Sequence, residues 1–206
     1  REPDNEFQQV SLSGQYRLAT WDTVIAFLAA SGRGQQNEAL LSYTINPEIS
    51  APDLPRATLD GKVDTLNYSF TVTSRPIDKL RVKWGYRFDE RDNKTPIDGW
   101  NRVIVDSALS GEVEQNIPYS YDRMHSTVSA EYAFSPDLRV SAGYERKEVN
   151  RDYQEVAEQT TDLGWGQLRW RPAAWLDIRA KGGASQRGID RYDDSVAVSF
   201  GQNPLM

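Results

Sequence analysis

The sequence contains no cysteine and a single histidine, His125, among its 206 residues. Without cysteine the chain forms no disulfide, no cysteine-ligated zinc or iron–sulfur site, no thiol nucleophile and no covalent attachment to a c-type haem. One histidine excludes every metal site that needs two. We recognise no Ser-His-Asp triad and no glycine loop that could cradle a phosphate. These absences predict a protein that is not an enzyme and carries no cofactor of its own.

Positive charge and long apolar runs are also scarce. The chain has 24 Lys and Arg against 30 Asp and Glu, a net charge of −6, so nucleic acid is not an expected partner. The longest apolar run, Val24–Ala30, is far shorter than the roughly 18 residues of a membrane helix. Aromatic residues nevertheless reach 11%. This composition leaves a disordered chain, a soluble β-protein or a membrane β-barrel.

Apolar and polar residues alternate strictly over residues 80–88. A period of two predicts a strand with one apolar and one cationic face. The segment before it alternates in the same way, and Pro76 lies between the two as a turn residue. Folding about Pro76 predicts four facing pairs: Val72 with Leu80, Phe70 with Val82, Tyr68 with Trp84, and Leu66 with Tyr86.

Three further hairpins follow the same logic, with turns near Trp21, Pro136 and Pro172. Folding about Pro136 predicts that Tyr132 faces Val140 and that Phe134 faces Leu138. The hairpin with its turn near Pro172 is built from Leu168 and Trp170 before the turn and Leu176, Ile178 and Ala180 after it.

In the first hairpin, the apolar positions are Val10, Leu12, Gly14, Tyr16 and Leu18, then Val24, Ala26, Leu28 and Ala30. Ile25 and Phe27 interrupt this alternation, which indicates either a dry contact on the inside of the fold or a shifted register.

The hairpins cover about 7-33, 62-89, 121-147 and 160-184, and polar links cover about 34-61, 89-120 and 148-160. Short turns at one end, long loops at the other and strands of about 9–11 residues are typical of outer-membrane barrels. We therefore predict an all-β fold, an antiparallel up-and-down transmembrane β-barrel, with 1-206 as one partial barrel domain. A soluble sandwich or lipocalin-like barrel, with its apolar faces inward, is the alternative.

The ends of the chain suggest a segment of a larger barrel. The sequence begins at Arg1, and an apparent last strand with Val196, Val198 and Phe200 has barely begun when the chain stops. We expect about eight or nine strands in this segment.

The strand patterns assign candidate residues to the two faces of the sheet. Candidates for the face that lines the lumen and meets a partner are Arg81, Lys83, Arg87, Arg179 and Lys181. Candidates for the face in contact with outer-membrane lipid are Leu66, Tyr68, Phe70, Val72, Leu80, Val82, Trp84, Tyr86, Tyr132 and Val140.

Several short stretches of the sequence are more distinctive than the alternation of apolar and polar residues. Residues 87–96 read RFDERDNKTP, and residues 116–123 read NIPYSYDR. Ala142-Gly143-Tyr144-Glu145 and Trp165-Gly166 add to them. Together these stretches resemble the MtrB/PioB family of decahaem-associated outer-membrane β-barrels, over a span from about residue 68 to residue 187.

The resemblance implies a wide barrel that sheathes a periplasmic decahaem c-type cytochrome and docks an extracellular multihaem cytochrome or another redox partner. Electrons would then cross the outer membrane in metal reduction or iron oxidation. Because this chain lacks cysteine, the haem would be carried by the partner. The Cys-x-x-Cys of some family members is absent from this sequence. The residues alone also leave open an ordinary porin or passive diffusion channel, a soluble β-barrel binding protein, and an enzyme that uses lumen carboxylates.

Overall fold

The computed structural model describes residues 5–44, 46, 50, 52–105 and 108–193, and these form ten strands. The strands are β1 Asn5–Leu18, β2 Thr23–Gln36, β3 Gly61–Ile77, β4 Leu80–Asn93, β5 Gly99–Val105, β6 Ala108–Gln115, β7 Tyr121–Ser135, β8 Leu138–Arg151, β9 Glu158–Ala173 and β10 Leu176–Ile189. A 3-10 turn, Thr20–Asp22, joins β1 to β2. The strand predicted at Val196, Val198 and Phe200 lies outside the described residues.

Eight of these strands form one antiparallel sheet in the order β1-β2-β3-β4-β7-β8-β9-β10, and β5 and β6 form a separate two-stranded sheet. Sequential strands are therefore neighbours everywhere except where the β5–β6 hairpin is inserted. The strands of the large sheet are 14–17 residues long, longer than the roughly 5–6 residues of ordinary soluble strands and long enough to cross an outer membrane. The predicted all-β, up-and-down antiparallel fold is confirmed.

The turn between β3 and β4 lies at residues 78–79, and Pro76 belongs to β3. The pairs predicted by folding about Pro76 are therefore wrong. The ring of Phe70 contacts that of Trp84 at 5.5 Å, and the ring of Tyr68 contacts that of Tyr86 at 5.9 Å. Pro can occupy a strand end where its missing N–H costs no ladder hydrogen bond. The shortest ring contact of Tyr68 is with Phe88, at 4.9 Å, four residues beyond its predicted partner Trp84. Because the displacement is an even number of residues, the same side chains still share a face.

The turn of the β7–β8 hairpin is where it was predicted. Tyr132 faces Val140, as expected. The predicted pairing of Phe134 with Leu138 is wrong, because the register shifts next to the turn and Leu138 pairs with Ser135.

The β9–β10 turn lies at residues 174–175, so Pro172 is part of β9. The apolar residues on the two sides of this turn nevertheless meet, with Ile178 opposite Trp170 and Ala180 opposite Leu168.

The predicted long link at 89-120 contains the β5–β6 hairpin, which sequence reasoning missed. The predicted link at 148-160 is short, because β8 continues to Arg151 and β9 begins at Glu158. The link between β2 and β3 has no strand in its described residues and is closed by an isolated bridge between Ala39 and Thr58.

The chain divides into two compact units. Unit 1 comprises residues 1–9, 32–65 and 91–120, and unit 2 comprises residues 10–31, 66–90 and 121–206. Unit 1 holds the long links and the β5–β6 hairpin. Unit 2 holds the short turns and all of β7–β10.

Very little of the described structure is buried. Ala30 is the only buried hydrophobic residue among the side chains described, and none of those side chains is fully enclosed. A soluble sandwich would need to bury one face of each sheet. Within the described ranges, we find no helix whose length and hydropathy would let it cross a bilayer.

Candidate functional site

The strands β7–β10 separate polar and apolar side chains onto two faces. Their registers align Tyr132, Val140, Leu168 and Ala180 in one row, and Glu131, Ser141, Gln167 and Lys181 in the adjacent row. Successive residues of a strand point to opposite sides. We call the even-numbered side of β7–β10 the apolar face and the odd-numbered side the polar face.

The contacts of Gly85 place β3 and β4 in the same scheme. A Cβ built on Gly85 would lie 2.9 Å from Thr127 Oγ1 of β7 and 4.0 Å from Thr71 Oγ1 of β3. Gly85, Thr71 and Thr127 therefore share the polar face. By strand alternation, Arg81, Lys83 and Arg87 lie on this face too.

The contacts of β2 decide between the two readings of Ile25 and Phe27. Thr23 Oγ1 lies 2.9 Å from Ser74 Oγ, and Phe27 occupies the space beside Gly14. Ser74 and Gly14 belong to the apolar series of β3 and β1. Ile25 and Phe27 therefore lie on the apolar face, which is the shifted register that the sequence left open. The predicted apolar positions of β2 fall on the other side.

Those four β2 residues are Val24, Ala26, Leu28 and Ala30. They form an apolar interruption of the polar face, beside the hydroxyl-bearing β3 residues such as Thr71. The alternation of the sequence does not show which side of β2 belongs to the polar face, because both sides of this strand carry apolar residues here.

The predicted lumen-facing cations are all exposed and fall into two groups. Arg81, Lys83 and Arg87 lie on β4, while Arg179 and Lys181 lie on β10, with three strands between β4 and β10 in the sheet order. Arg87 Nε donates to Asp89 at 2.8 Å. The ammonium of Lys181 lies 5.2 Å from the centre of the Trp165 ring. The structure does not join the two groups into one cluster.

The predicted lipid-facing residues form local aromatic contacts without a buried core. Tyr68 stacks at 4.9 Å on Phe88, and Tyr132 meets Phe134 edge-on at 4.7 Å. The exposed fractions of Leu66, Tyr68, Trp84 and Val140 lie between 37% and 43%. Phe70, Val72, Leu80, Val82, Tyr86 and Tyr132 are half-buried.

Sequence reasoning missed a cluster around Asp177 at the start of β10. Asp177 accepts hydrogen bonds from Arg169 at 2.9 Å, from Arg171 at 3.2 Å and from Arg179 at 3.3 Å. We call these four residues the Asp177 cluster. Only Arg179 was a candidate beforehand. The antiparallel register of β9 and β10, which a single sequence does not fix, brings the others to it.

In unit 1, the link between β2 and β3 is attached to the β5–β6 hairpin. The guanidinium of Arg56 lies 3.2 Å from Asp98 Oδ2 and 5.5 Å from the centre of the Trp100 ring, and its side chain is only 14% exposed. The Asn101 amide donates to Tyr43 Oη at 3.1 Å. These contacts tie described residues of the two long links to each other.

A second ion-pair group in unit 1 centres on Asp64. Its carboxylate accepts from Arg33 Nε at 2.8 Å and from Lys94 Nζ at 2.9 Å. The hydrogen bond to Asp64, followed by that to Asp92, raises the pKa of Lys94 above the usual lysine value. Lys94 therefore stays charged at any physiological pH.

Unit 1 also encloses a cavity of about 540 Å³. Its lining is mixed, with Phe7, Val63 and Ile117 beside Arg91, Asn93 and Asn116. The Arg91 guanidinium donates to Tyr119 O, the Asn93 backbone N–H donates to Ser120 Oγ, and Asn93 Oδ1 accepts from Thr95 Oγ1. The cavity therefore presents no converging set of unpaired groups.

We examined the described residues for donors that could hold a metal and the sequence for groups that could attach haem. No group of three or more His, Asp or Glu residues suited to a metal occurs within the described ranges. Nε2 of His125 lies 3.4 Å from Glu145 Oε2, so the imidazole has a carboxylate neighbour on its own face. The sequence offers no thiol for haem attachment.

Comparisons with known proteins agree with the strand pattern. The family profile described as "outer membrane beta-barrel porin, MtrB/PioB" matches residues 1–206. "Outer membrane protein MtrB" of Shewanella baltica (strain OS185) is 30% identical over 205 residues, covering 100% of this chain and 28% of the relative's length. This chain thus spans little more than a quarter of that protein.

Two solved structures are similar at lower levels. OmpT of Vibrio cholerae has a TM-score of 0.46 and 15% identity, with 89% of this chain and 46% of that chain covered. Its loop L8 deletion variant has a TM-score of 0.43 and 14% identity, with 91% and 58% covered. With the whole chain matched by one family profile, this polypeptide belongs to the MtrB/PioB family of outer-membrane β-barrel porins.

Proposed function

We propose that this chain forms part of the wall of an outer-membrane barrel that sheathes a periplasmic decahaem c-type cytochrome. The same barrel docks an extracellular multihaem cytochrome or another redox partner, and electrons cross the outer membrane between the two. The polar face lines the lumen, and the apolar face contacts lipid.

The observation that carries the proposal is the segregation of side chains along β7–β10. Tyr132, Val140 and Leu168 are aligned on one face across three strands, and Arg139, Arg169 and Arg179 are aligned on the other. A charged side chain facing hydrocarbon is unfavourable, by about 2–4 kcal/mol at mid-depth and by less towards the strand ends where these arginines lie. In an outer-membrane protein the cationic face therefore belongs on the inside, where it can contact water or a soluble protein.

The redox centres belong to the partner. The chain lacks the thiols that attach c-type haem, and its one histidine cannot supply two axial ligands. What the chain contributes is a polar lining, which spares a charged cytochrome the cost of direct contact with hydrocarbon.

Unit 1 is the candidate docking surface for the extracellular partner. Long loops lie on the extracellular side of outer-membrane barrels, and here they are fastened to each other through Arg56, Asp98 and Trp100. A preorganised surface binds with a smaller entropic cost than a mobile loop.

The direct test is purification of the intact outer-membrane complex in mild detergent, followed by haem staining and an absorbance spectrum. We expect a haem-containing polypeptide to co-purify in a fixed ratio. Its absence from a preparation of correctly assembled barrel would contradict the sheath proposal.

A passive diffusion channel is the second candidate, since the family description itself contains the word porin. Planar-bilayer recordings separate the two. A filled barrel gives little steady conductance until the cytochrome is removed, whereas a passive channel conducts in the native preparation.

A further inference from the structure

We propose that the Asp177 cluster is a docking site for carboxylates on the surface of the protein enclosed by the barrel. This inference rests on the proposed function and names the chemistry by which one part of the wall holds its partner. The site lies at the short-turn end of β9 and β10, which is the periplasmic end in outer-membrane barrels.

The cluster carries an excess of positive charge. Three guanidiniums, from Arg169, Arg171 and Arg179, share the single carboxylate of Asp177, which leaves two positive charges uncompensated. Arg139, which is itself paired with Glu131 at 3.9 Å, stands directly opposite Arg169 in the register. This concentration of cations is unusual in a chain whose net charge is −6.

The geometry leaves donors for a ligand. A guanidinium has five N–H groups, and each of the three arginines gives Asp177 only one or two. The arginine side chains are 36%, 49% and 62% exposed. Arginine presents its donors as a planar fork that matches a carboxylate, so the site fits Asp and Glu side chains.

The position of the cluster argues against lipid phosphate as the occupant. Arg169, Arg171 and Arg179 are on the polar face, while their sequence neighbours Trp170 and Ile178 pair on the apolar face. If the apolar face contacts lipid, the guanidiniums point away from the headgroups. An acidic protein surface inside the lumen is then the occupant with matching charge.

The experiment uses the complete outer-membrane protein in detergent and a fluorescent hexaglutamate peptide as the probe. The test variant is the double substitution Arg171→Gln/Arg179→Gln. The matched control is Arg146→Gln, which removes a half-exposed arginine that is paired with Glu148 and lies on the opposite side of β8. Heat-modifiable migration in gels verifies that each variant has folded.

We expect the double substitution to weaken hexaglutamate binding about tenfold, and the control to leave it unchanged. Asp177→Asn should tighten binding, since it frees the guanidiniums from their internal partner. In the native complex, the double variant should release its haem-containing partner at a lower NaCl concentration than the wild type.

Equal binding by the double variant and the control would overturn the inference. Displacement of the peptide by phosphatidylglycerol in the micelle would also overturn it, in favour of lipid phosphate. Absence of haem from the wild-type complex would contradict the proposed function, while the peptide comparison would still decide whether the cluster binds carboxylates.

Discussion

The ring of Phe27 fills the space that a side chain at Gly14 would need: a Cβ on Gly14 would lie 2.6 Å from Phe27 Cε1. This contact fixes Phe27 on the apolar face and sends the adjacent Leu28 to the polar face. The two residues are almost equally exposed, at 43% and 44%, so they form a matched pair.

We expect Phe27→Arg to impair membrane insertion and Leu28→Arg to be tolerated. A cation on the lipid side costs about 2–4 kcal/mol near mid-depth, whereas a cation in a wet lumen costs little. The measurement is the fraction of heat-modifiable, folded protein in outer membranes. Equal loss in both variants would show that the facing of β2 is wrong.

The same reasoning applies to the β3–β4 hairpin. Phe70→Arg should reduce stability by about 2–4 kcal/mol and impair insertion, whereas Val82→Arg, close to the turn, should reduce it by about 1 kcal/mol. Arg81→Glu, one residue away on the polar face, should assemble normally and lower the salt concentration at which the cytochrome is released. Urea titration in lipid vesicles and salt elution of haem provide the two measurements.

Adding a methyl group at two different glycines of the β8–β9 pair should have opposite effects on stability. A Cβ on Gly143 would lie 2.6 Å from the Trp165 ring, while a Cβ on Gly166 would meet nothing within 4 Å. We expect Gly143→Ala to cost about 1–3 kcal/mol. Gly166→Ala should be neutral or gain about 0.5–1 kcal/mol, because alanine loses less backbone entropy in a strand. Urea midpoints at unchanged slope check both values, and equal shifts would contradict the prediction.

Arg56→Met should loosen the link between β2 and β3. The change removes the cation–π contact with Trp100 and leaves Asp98 without its ion-pair partner, for a loss of about 1–2 kcal/mol within unit 1. Hydrogen bonds add nothing to this loss, because the guanidinium makes none with the described residues. Limited proteolysis of intact cells should then cut this link faster. Lys62→Met, which removes only an exposed ion pair with Asp60, serves as the control and should leave the rate unchanged.

Lys94→Met should destabilise the protein at neutral pH but not at strongly alkaline pH. The hydrogen bond to Asp64 raises the pKa of Lys94, so its stabilising contribution is complete below the usual lysine value of about 10.4 and is lost as the pH rises through the raised value. The measurement is the stability difference between wild type and variant from neutral pH to about pH 12. A difference that is already lost at neutral pH would contradict this assignment.

The strands of the large sheet and the positions of most turns could be predicted from the sequence, because alternation is a local property, and short distinctive stretches indicated the family. The alternation of residues 80–88 needs no knowledge of the rest of the fold. Register is not local. With the turn at residues 78–79, Tyr68 stacks on Phe88 and not on the predicted Trp84, a displacement of four positions. The alternation on both sides of Pro76 is compatible with a turn at either place.

For the same reason, only part of the candidate site could be predicted from the sequence. Arg179 and Lys181 could be placed on the polar side of β10 from the alternation of residues along the strand. The convergence of Arg169 and Arg171 on Asp177 depends on the pairing of β9 with β10. The β5–β6 hairpin was missed because its short strands lie within a polar stretch and alternate poorly.

β4 and β7 are adjacent in the large sheet, and this adjacency determines which part of the barrel wall can be exchanged without disturbing the sheet. These strands are neighbours in the large sheet although the β5–β6 hairpin separates them in the chain, so the hairpin contributes nothing to the sheet's own ladder. Evolution, or an engineer, can therefore exchange the tip of this hairpin for another recognition sequence or a reporter tag. The bilayer-crossing strands would keep their register, provided that the anchoring residues Asp98 and Trp100 are retained.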